Sequence, residues 1–364
     1  MTFSGRLSLA EDARIILLQP AFLGDVVLST ALLESWHRAH PRHPIEMVVR
    51  QEAAGLLRNH PFLDKVHVWD RGGWGKYSRL IGLAGKVRAR EPELVINLHR
   101  YASMALLGRR AGASHHVGFS EGARWHAGNA RLKPHSWGDG RHETERNHAL
   151  VQEYIGDWNA ERDVPRLHPA ASDWAAAAAF PQDALILAPS SVWATKRWPS
   201  ERWSALADEW VTSGQDAPVV LLGGPADREL LEAVSQGCQK AKPLVVAGTL
   251  DLLGSAALMG KARAVVSNDS APLHMAGAMN VPVVGVFCST TPRFGFGPLP
   301  TMMKEGRAAV VEIGESEMDC KPCGPHGHGQ CPMKHFRCGL HVDHKAVWDA
   351  VLSVSSPRRG NPTP

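Results

Sequence analysis

Short apolar runs alternate with longer mixed stretches along most of the chain. Residues 14–19, Arg-Ile-Ile-Leu-Leu-Gln, have the pattern of a strand buried on both faces, and residues 25–40 that of the helix after it. The alternation continues with strands at 45–50, 66–69, 94–98 and 115–119 and helices at 51–59, 76–90 and 103–111. A polar, irregular stretch at 121–141 carries Trp125, His126, Lys133, His135 and Trp137, and a helix at 143–154 follows it. Loops of that length are uncommon and often functional. Residues 156–169, dense in charge and proline, have the composition of a linker. Beyond it the pattern resumes: an Ala-rich helix start at 172–180, then strands at 185–188, 219–222, 244–246, 264–266 and 281–287. Helices at 200–213, 226–238, 250–260 and 272–279 separate them, with Trp203, Leu206 and Trp210 at core spacing on one helix. This predicts an α/β fold of two doubly wound parallel sheets, one in residues 1–168 and one in 169–364. Residues 357–364 read as a frayed tail.

Composition narrows the function classes. With 44% hydrophobic and 21% charged residues, the chain reads as globular. Lys and Arg total 40 against 36 Asp and Glu, a net charge of +4. That is too mild for a nucleic-acid binder, though it permits anionic substrates or an anionic membrane face. No apolar run approaches the ~20 residues of a spanning helix, and the N-terminus lacks a signal-peptide pattern, so a cytoplasmic location is expected. Six cysteines in 364 residues do not suggest a disulfide framework. An NAD dehydrogenase is disfavoured, because no Gly-x-Gly-x-x-Gly follows the first strand.

Chemistry-bearing residues fall at predicted strand ends. Gly24-Asp25 opens the first helix. Asp25 is either an ordinary helix cap or a carboxylate placed at the ligand-binding edge of the sheet, and Gly24 allows close backbone approach. Residues 264–290 form a strand–turn–helix–strand unit, with Asp269 and Ser270 as cap candidates and Pro272 in the first helical turn. The helix N-terminus offers an anion site suited to a diphosphate. Between Cys320 and Cys338 the spacing Cys320-x2-Cys323-x7-Cys331-x6-Cys338 has the ligand types of a structural zinc site. Packing thiols or a redox-labile pair fit it as well.

The order of residues in four segments resembles the ninth family of glycosyltransferases, the lipopolysaccharide heptosyltransferases. Asp269-Ser270-Ala271-Pro272-Leu273-His274 matches the family's Asp-Thr/Ser-Gly/Ala-x-x-His. Gly24-Asp25 matches its opening motif, and Lys196-Arg197-Trp198-Pro199 its Lys-x-Trp-Pro. Cys331-Pro332-Met333-Lys334-His335-Phe336-Arg337-Cys338 matches the late Cys-Pro-x-x-His-x-x-Cys of several members. The resemblance spans residues 15–352. It implies a GT-B architecture, two Rossmann-like domains facing a cleft, and transfer of heptose from ADP-heptose to the lipopolysaccharide inner core with inversion.

On that reading Asp25 is the catalytic base. Ser190, Ser191, Thr195, Lys196, Asp227, Asp269, Ser270, Ala271 and His274 hold the donor. Gly24, Arg100, Arg124 and Lys133 meet an acidic, lipid A-linked acceptor, with transient contact at the inner face of the inner membrane. No cofactor is required; a structural zinc on Cys320, Cys323, Cys331 and Cys338 is an added option. Rival readings are a relative using another nucleotide sugar, a nucleotide-sugar epimerase, and a zinc-stapled binding module without catalysis.

Overall fold

The structure is a computed structural model, and it describes residues 6–121, 125–126, 128–156, 158 and 160–355. The tail at 357–364 lies outside the described residues. The chain divides into two compact units. The first runs to Trp137 and adds Glu143–His168; the second takes Gly138–His142 and everything from Pro169. A single cut after residue 168 therefore misplaces Gly138–His142. His142 explains this, since its buried Nε2 bonds Gly297 O at 3.1 Å within the second unit.

In the first unit β1 (Ile15–Leu18), α1 (Leu23–Ala39), β2 (Ile45–Arg50), α2 (Gln51–Ala54) and β3 (Lys65–Trp69) come first. Then follow α3 (Lys76–Arg88), β4 (Leu94–Asn97), α4 (Ala102–Arg110), β5 (His115–Phe119), β6 (Ala130–Lys133) and α5 (Glu143–Tyr154). The sheet order is β3-β2-β1-β4-β5-β6, all parallel. Ile15 to Leu18 are fully buried, as a central parallel strand requires. The stretch at 121–141 is not wholly irregular, because β6 lies inside it. Its four residues are all half-buried on the sheet edge, so it carries no apolar run to reveal it. Residues 160–168 run back along α1: Asp163 N–H donates to Ser35 Oγ at 2.9 Å and Arg166 N–H to Thr30 Oγ1 at 3.0 Å.

The second unit holds α6 (Ala171–Ala177), β7 (Leu185–Ala188), α7 (Ser200–Thr212), β8 (Val219–Gly223), α8 (Arg228–Gly237) and β9 (Leu244–Ala247). It continues through α9 (Leu252–Met259), β10 (Ala264–Asn268), α10 (Ala271–Ala278), β11 (Val283–Phe287), α11 (Pro300–Lys304), β12 (Ala308–Glu312), α12 (Arg337–Leu340) and α13 (His344–Ser355). The order β12-β11-β10-β7-β8-β9 is again wholly parallel. Renumbered from its own first strand it is 3-2-1-4-5-6, as in the first unit. Trp198, Trp203 and Trp210 are buried in its core. Their indole N–H groups donate to Val342 O, Trp198 O and Ala217 O, at 3.0, 3.1 and 2.7 Å, so none is buried unpaired. Among the described residues no helix is long and apolar enough to cross a membrane.

Candidate active site

In a sheet ordered 3-2-1-4-5-6 the strands on either side of the first and fourth leave in opposite directions, and the loops there open a crevice at the strand carboxyl ends. In the first unit that point lies between β1 and β4. From β1 the chain turns through Gln19–Phe22, and Asp25 is the third residue of α1. Its carboxylate lies near its own main-chain N–H and that of Phe22. Asp25 keeps partial contact with solvent, yet enough protein surrounds it to desolvate it. Burial first, then the Glu143 carboxylate, push its pKa up to about 7, against the pull of Arg100 and the two nearby main-chain N–H groups.

Cations gather around this acid. Arg100, just past β4, lies with its guanidinium 4.1 Å from the Trp137 ring centroid. Arg50, at the end of β2, donates from Nε to Pro20 O at 2.6 Å and covers the Phe22 ring. His99 is buried among Arg50, Arg100 and Arg71, and desolvation above all lowers its pKa to about 3, so it is neutral at pH 7. Glu143, the first residue of α5, accepts from Arg146 Nη1 at 3.1 Å and meets His135 Nε2 at 3.3 Å. Burial alone would raise its pKa; these two partners outweigh it and hold Glu143 below its ordinary value, hence anionic. Neither Arg50 nor Glu143 stands out in the sequence, because their pairing with Asp25 depends on the fold alone.

The equivalent crevice in the second unit lies between β7 and β10. Ser190 and Ser191 follow β7, and a single turn at Ala194–Lys196 carries the lysine. Lys196 Nζ pairs with Asp269 Oδ2 at 2.6 Å, and Thr290 Oγ1 donates to the same oxygen at 2.7 Å. The motif residue Trp198 fixes this loop: its N–H donates to Asn268 Oδ1 at 3.0 Å, and Asn268 Nδ2 donates to Pro189 O at 2.6 Å. Ser270 is the N-cap of α10 by backbone, but its side chain makes no cap bond; its Oγ lies 3.3 Å from Ser267 Oγ. Asp269 does not cap the helix either, being spent on Lys196 and Thr290. The side-chain cap expected from sequence is therefore absent at Ala271, and the first N–H groups of α10 keep their capacity for an anion. His274 is buried on α10, and burial, then His142, depress its pKa to about 3. It is thus a neutral imidazole beside an ion pair.

Other expected residues are placed differently. Thr195 is buried, and its Oγ1 accepts from Ser289 Oγ at 3.0 Å and from His328 N–H at 2.8 Å, so it serves the scaffold. Asp227 Oδ2 accepts the Gly224 N–H at 2.8 Å and closes the turn after β8. Lys133, on β6, is ion-paired with Glu153. Arg124 lies outside the described residues. In the Cys-rich loop, Cys320 Sγ approaches His335 Nε2 at 3.7 Å, and Cys331 Sγ accepts from Phe336 N–H at 3.4 Å. Burial nudges the Cys331 thiol up, but main-chain N–H bonds carry it below the ordinary range. Burial and neighbouring thiols push Cys323 and Cys338 up. Among the described residues, the His, Cys, Asp and Glu side chains that bring three ligand atoms within 4.8 Å of one another are Glu34, His60 and His168, not the four thiols. The loop does brace the donor side. Cys323 N–H donates to Ser289 O at 2.8 Å, and a methyl on Gly327 would stand 2.6 Å from Trp193 Cβ and 2.9 Å from Lys196 Cγ.

Two parallel sheets of one strand order have counterparts among solved structures. A glycosyl transferase family 9 protein from Veillonella parvula matches with a TM-score of 0.79 at 23% identity, over 96% of this chain and 99% of that one. Escherichia coli ADP-heptose lipopolysaccharide heptosyltransferase II matches at 0.74 and 19% identity, over 94% and 98%. The fold is accordingly that of the GT-B glycosyltransferases, with two Rossmann-like domains. In sequence, lipopolysaccharide heptosyltransferase 1 of Pseudomonas aeruginosa is 26% identical over 85% of this chain and 86% of its own length. The sequence profile of glycosyltransferase family 9 (heptosyltransferase) matches residues 81–318, more than half of the chain, which belongs to that family.

Proposed function

We propose that this protein transfers heptose from ADP-heptose to the inner core of lipopolysaccharide with inversion at the anomeric carbon. The observation that carries the reading is the Lys196 ammonium, anchored by Asp269 and Thr290 beside the uncapped start of α10. Lys196 and the α10 amides bind the donor diphosphate and stabilise the charge that grows on it as the sugar–oxygen bond breaks. Asp269 holds the ammonium in place, and Ser190, Ser191, Ser270 and the neutral His274 remain for sugar and phosphate oxygens. Asp25 takes the proton of the acceptor hydroxyl as its oxygen attacks the anomeric carbon, and ADP leaves from the opposite side. A base whose pKa lies near 7 suits that task at neutral pH.

Arg50 and Arg100 face acidic groups of the acceptor, for which a guanidinium fork is well suited. The acceptor is lipid-linked, so the protein meets the membrane face transiently. Fixed positive groups supply the stabilisation of the leaving group, and a structural zinc on the Cys-rich loop is a separate proposal. The deciding experiment is a donor screen with purified protein and heptose-deficient lipopolysaccharide, with the product linkage read by NMR. Transfer from ADP-heptose alone, with inverted configuration, supports the reading. Transfer from a different nucleotide sugar replaces the donor but keeps the site. No transfer from any nucleotide sugar refutes it.

A further inference from the structure

In the first unit, Glu34, His60 and His168 come together from three separate segments. Glu34 lies in the middle of α1, His60 follows the turn Gly55–Leu57, and His168 is the last residue of the unit. His168 Nε2 stands 3.1 Å from Glu34 Oε1, His60 Nε2 stands 3.6 Å from the same oxygen, and all three ligand atoms lie within 4.8 Å of one another. The edge of one imidazole meets the face of the other, with ring centroids 4.7 Å apart. The side chain of His60 is 2% exposed, yet its Nε2 has no hydrogen-bond partner, which is costly for a buried polar atom.

From this convergence we infer that Glu34, His60 and His168 form a binding site for a borderline divalent metal ion such as zinc. Two imidazoles and one carboxylate are a common zinc ligand set, and ligand-to-metal distances of about 2.0–2.2 Å fit ligand atoms spaced this closely. Arg166 Nε lies 3.9 Å from Glu34 Oε2, which leaves Oε1 as the single carboxylate ligand. The side chain of His168 is 29% exposed, so a fourth position opens towards water on its side. The ion would tie the end of the first unit to α1. Two features moderate its affinity. Arg166 adds positive charge, and with metal on Nε2 the His60 proton moves to Nδ1, giving up the long 3.4 Å bond from Phe62 N–H. Lost outer support of that kind typically costs about 10–100-fold in affinity, which points to micromolar rather than picomolar binding.

The test uses chelator-stripped full-length protein titrated with Co2+ and Zn2+. To set the cysteines aside, the titration is made in Cys331→Ser/Cys338→Ser. One equivalent of Co2+ should give visible d–d bands without the near-ultraviolet bands of thiolate ligation. His60→Gln and His168→Gln should each weaken that binding by about 100-fold or abolish it, as loss of one of three ligands requires. Zn2+ at 100 times its Kd should raise Tm by roughly 5 °C in the parent and not in the His variants. If the serine variant fails to fold, the intact protein and its His168→Gln variant are compared. Their difference should be one equivalent of Co2+ with a thiolate-free spectrum. Absence of saturable binding, or equal binding in both His variants and the parent, overturns the site.

Discussion

Asp25→Asn should act in opposite directions on activity and stability. Asp25 has its pKa raised from 3.8 to about 7 in the folded protein. A carboxyl group that ionises later when folded favours the unfolded chain as pH rises. Its stability contribution is complete below pH 3.8 and is lost as pH climbs through 7. At 1.36 kcal/mol per unit the full cost is about 4 kcal/mol above pH 7. Asp25 retains partial contact with water, and discounting for that screening leaves about 2 kcal/mol. Asparagine has the same shape and does not ionise, so it removes this cost. At pH 8 its Tm should exceed that of the parent by ~4–8 °C, at 2–4 °C per kcal/mol for a domain of this size. At pH 4 the two should melt together. Turnover should fall by about 100- to 10,000-fold with ADP affinity unchanged, as expected for loss of a general base. Calorimetric melts at both pH values, beside steady-state kinetics, read both effects. A stability difference independent of pH, or a variant less stable at pH 8, would refute the account of Asp25.

The pH profile of kcat/KM should show an acidic limb near pH 7, falling roughly tenfold from pH 8 to pH 6. Glu143→Gln removes the anion that raises Asp25 and should move this limb to lower pH; an unmoved limb excludes the coupling. Lys196→Ala should weaken ADP binding by about 10- to 100-fold in calorimetry, the worth of a charge-assisted bond. Unchanged affinity would move the diphosphate elsewhere. Gly327→Ala forces a methyl against Trp193 and Lys196 and should cost about 1–3 kcal/mol of stability together with ADP affinity. Thermal melts and ADP titration of that variant check both. Cys323→Ser with metal analysis tests the loop zinc, which should drop by one equivalent if the thiols hold it.

Much of the fold was legible because its strands are buried on both faces. Ile15–Leu18 and Val283–Phe287 appear as plain apolar runs. The edge strands β6 and β12 were not, since half-buried residues such as Arg131 and Glu312 break the run. Lys196 and Asp269 could be read as neighbours in function from their motifs, but their 2.6 Å pairing is a product of loops from two different strands. Thr195 faces inward although its sequence neighbourhood suggests a ligand-facing hydroxyl, because Ser289 and His328 claim its oxygen. Glu34, His60 and His168 are each unremarkable in sequence, and only tertiary packing brings them together.

Asp25 follows the first strand of one sheet, and Lys196 follows the first strand of the other. One topology is thus used twice with its charge inverted: a carboxyl group after the first strand of one sheet, an ammonium after the first strand of the other. Each half carries its own crevice, and the second also draws on His142, from the segment between β6 and α5, which acts on His274. On the proposed reading, substitutions in the loops after β2 and β4 alter the acceptor side and leave Lys196, Asp269 and Ser270 in place. On that reading such a scaffold lets a lineage diversify what receives the sugar at a different pace from what supplies it.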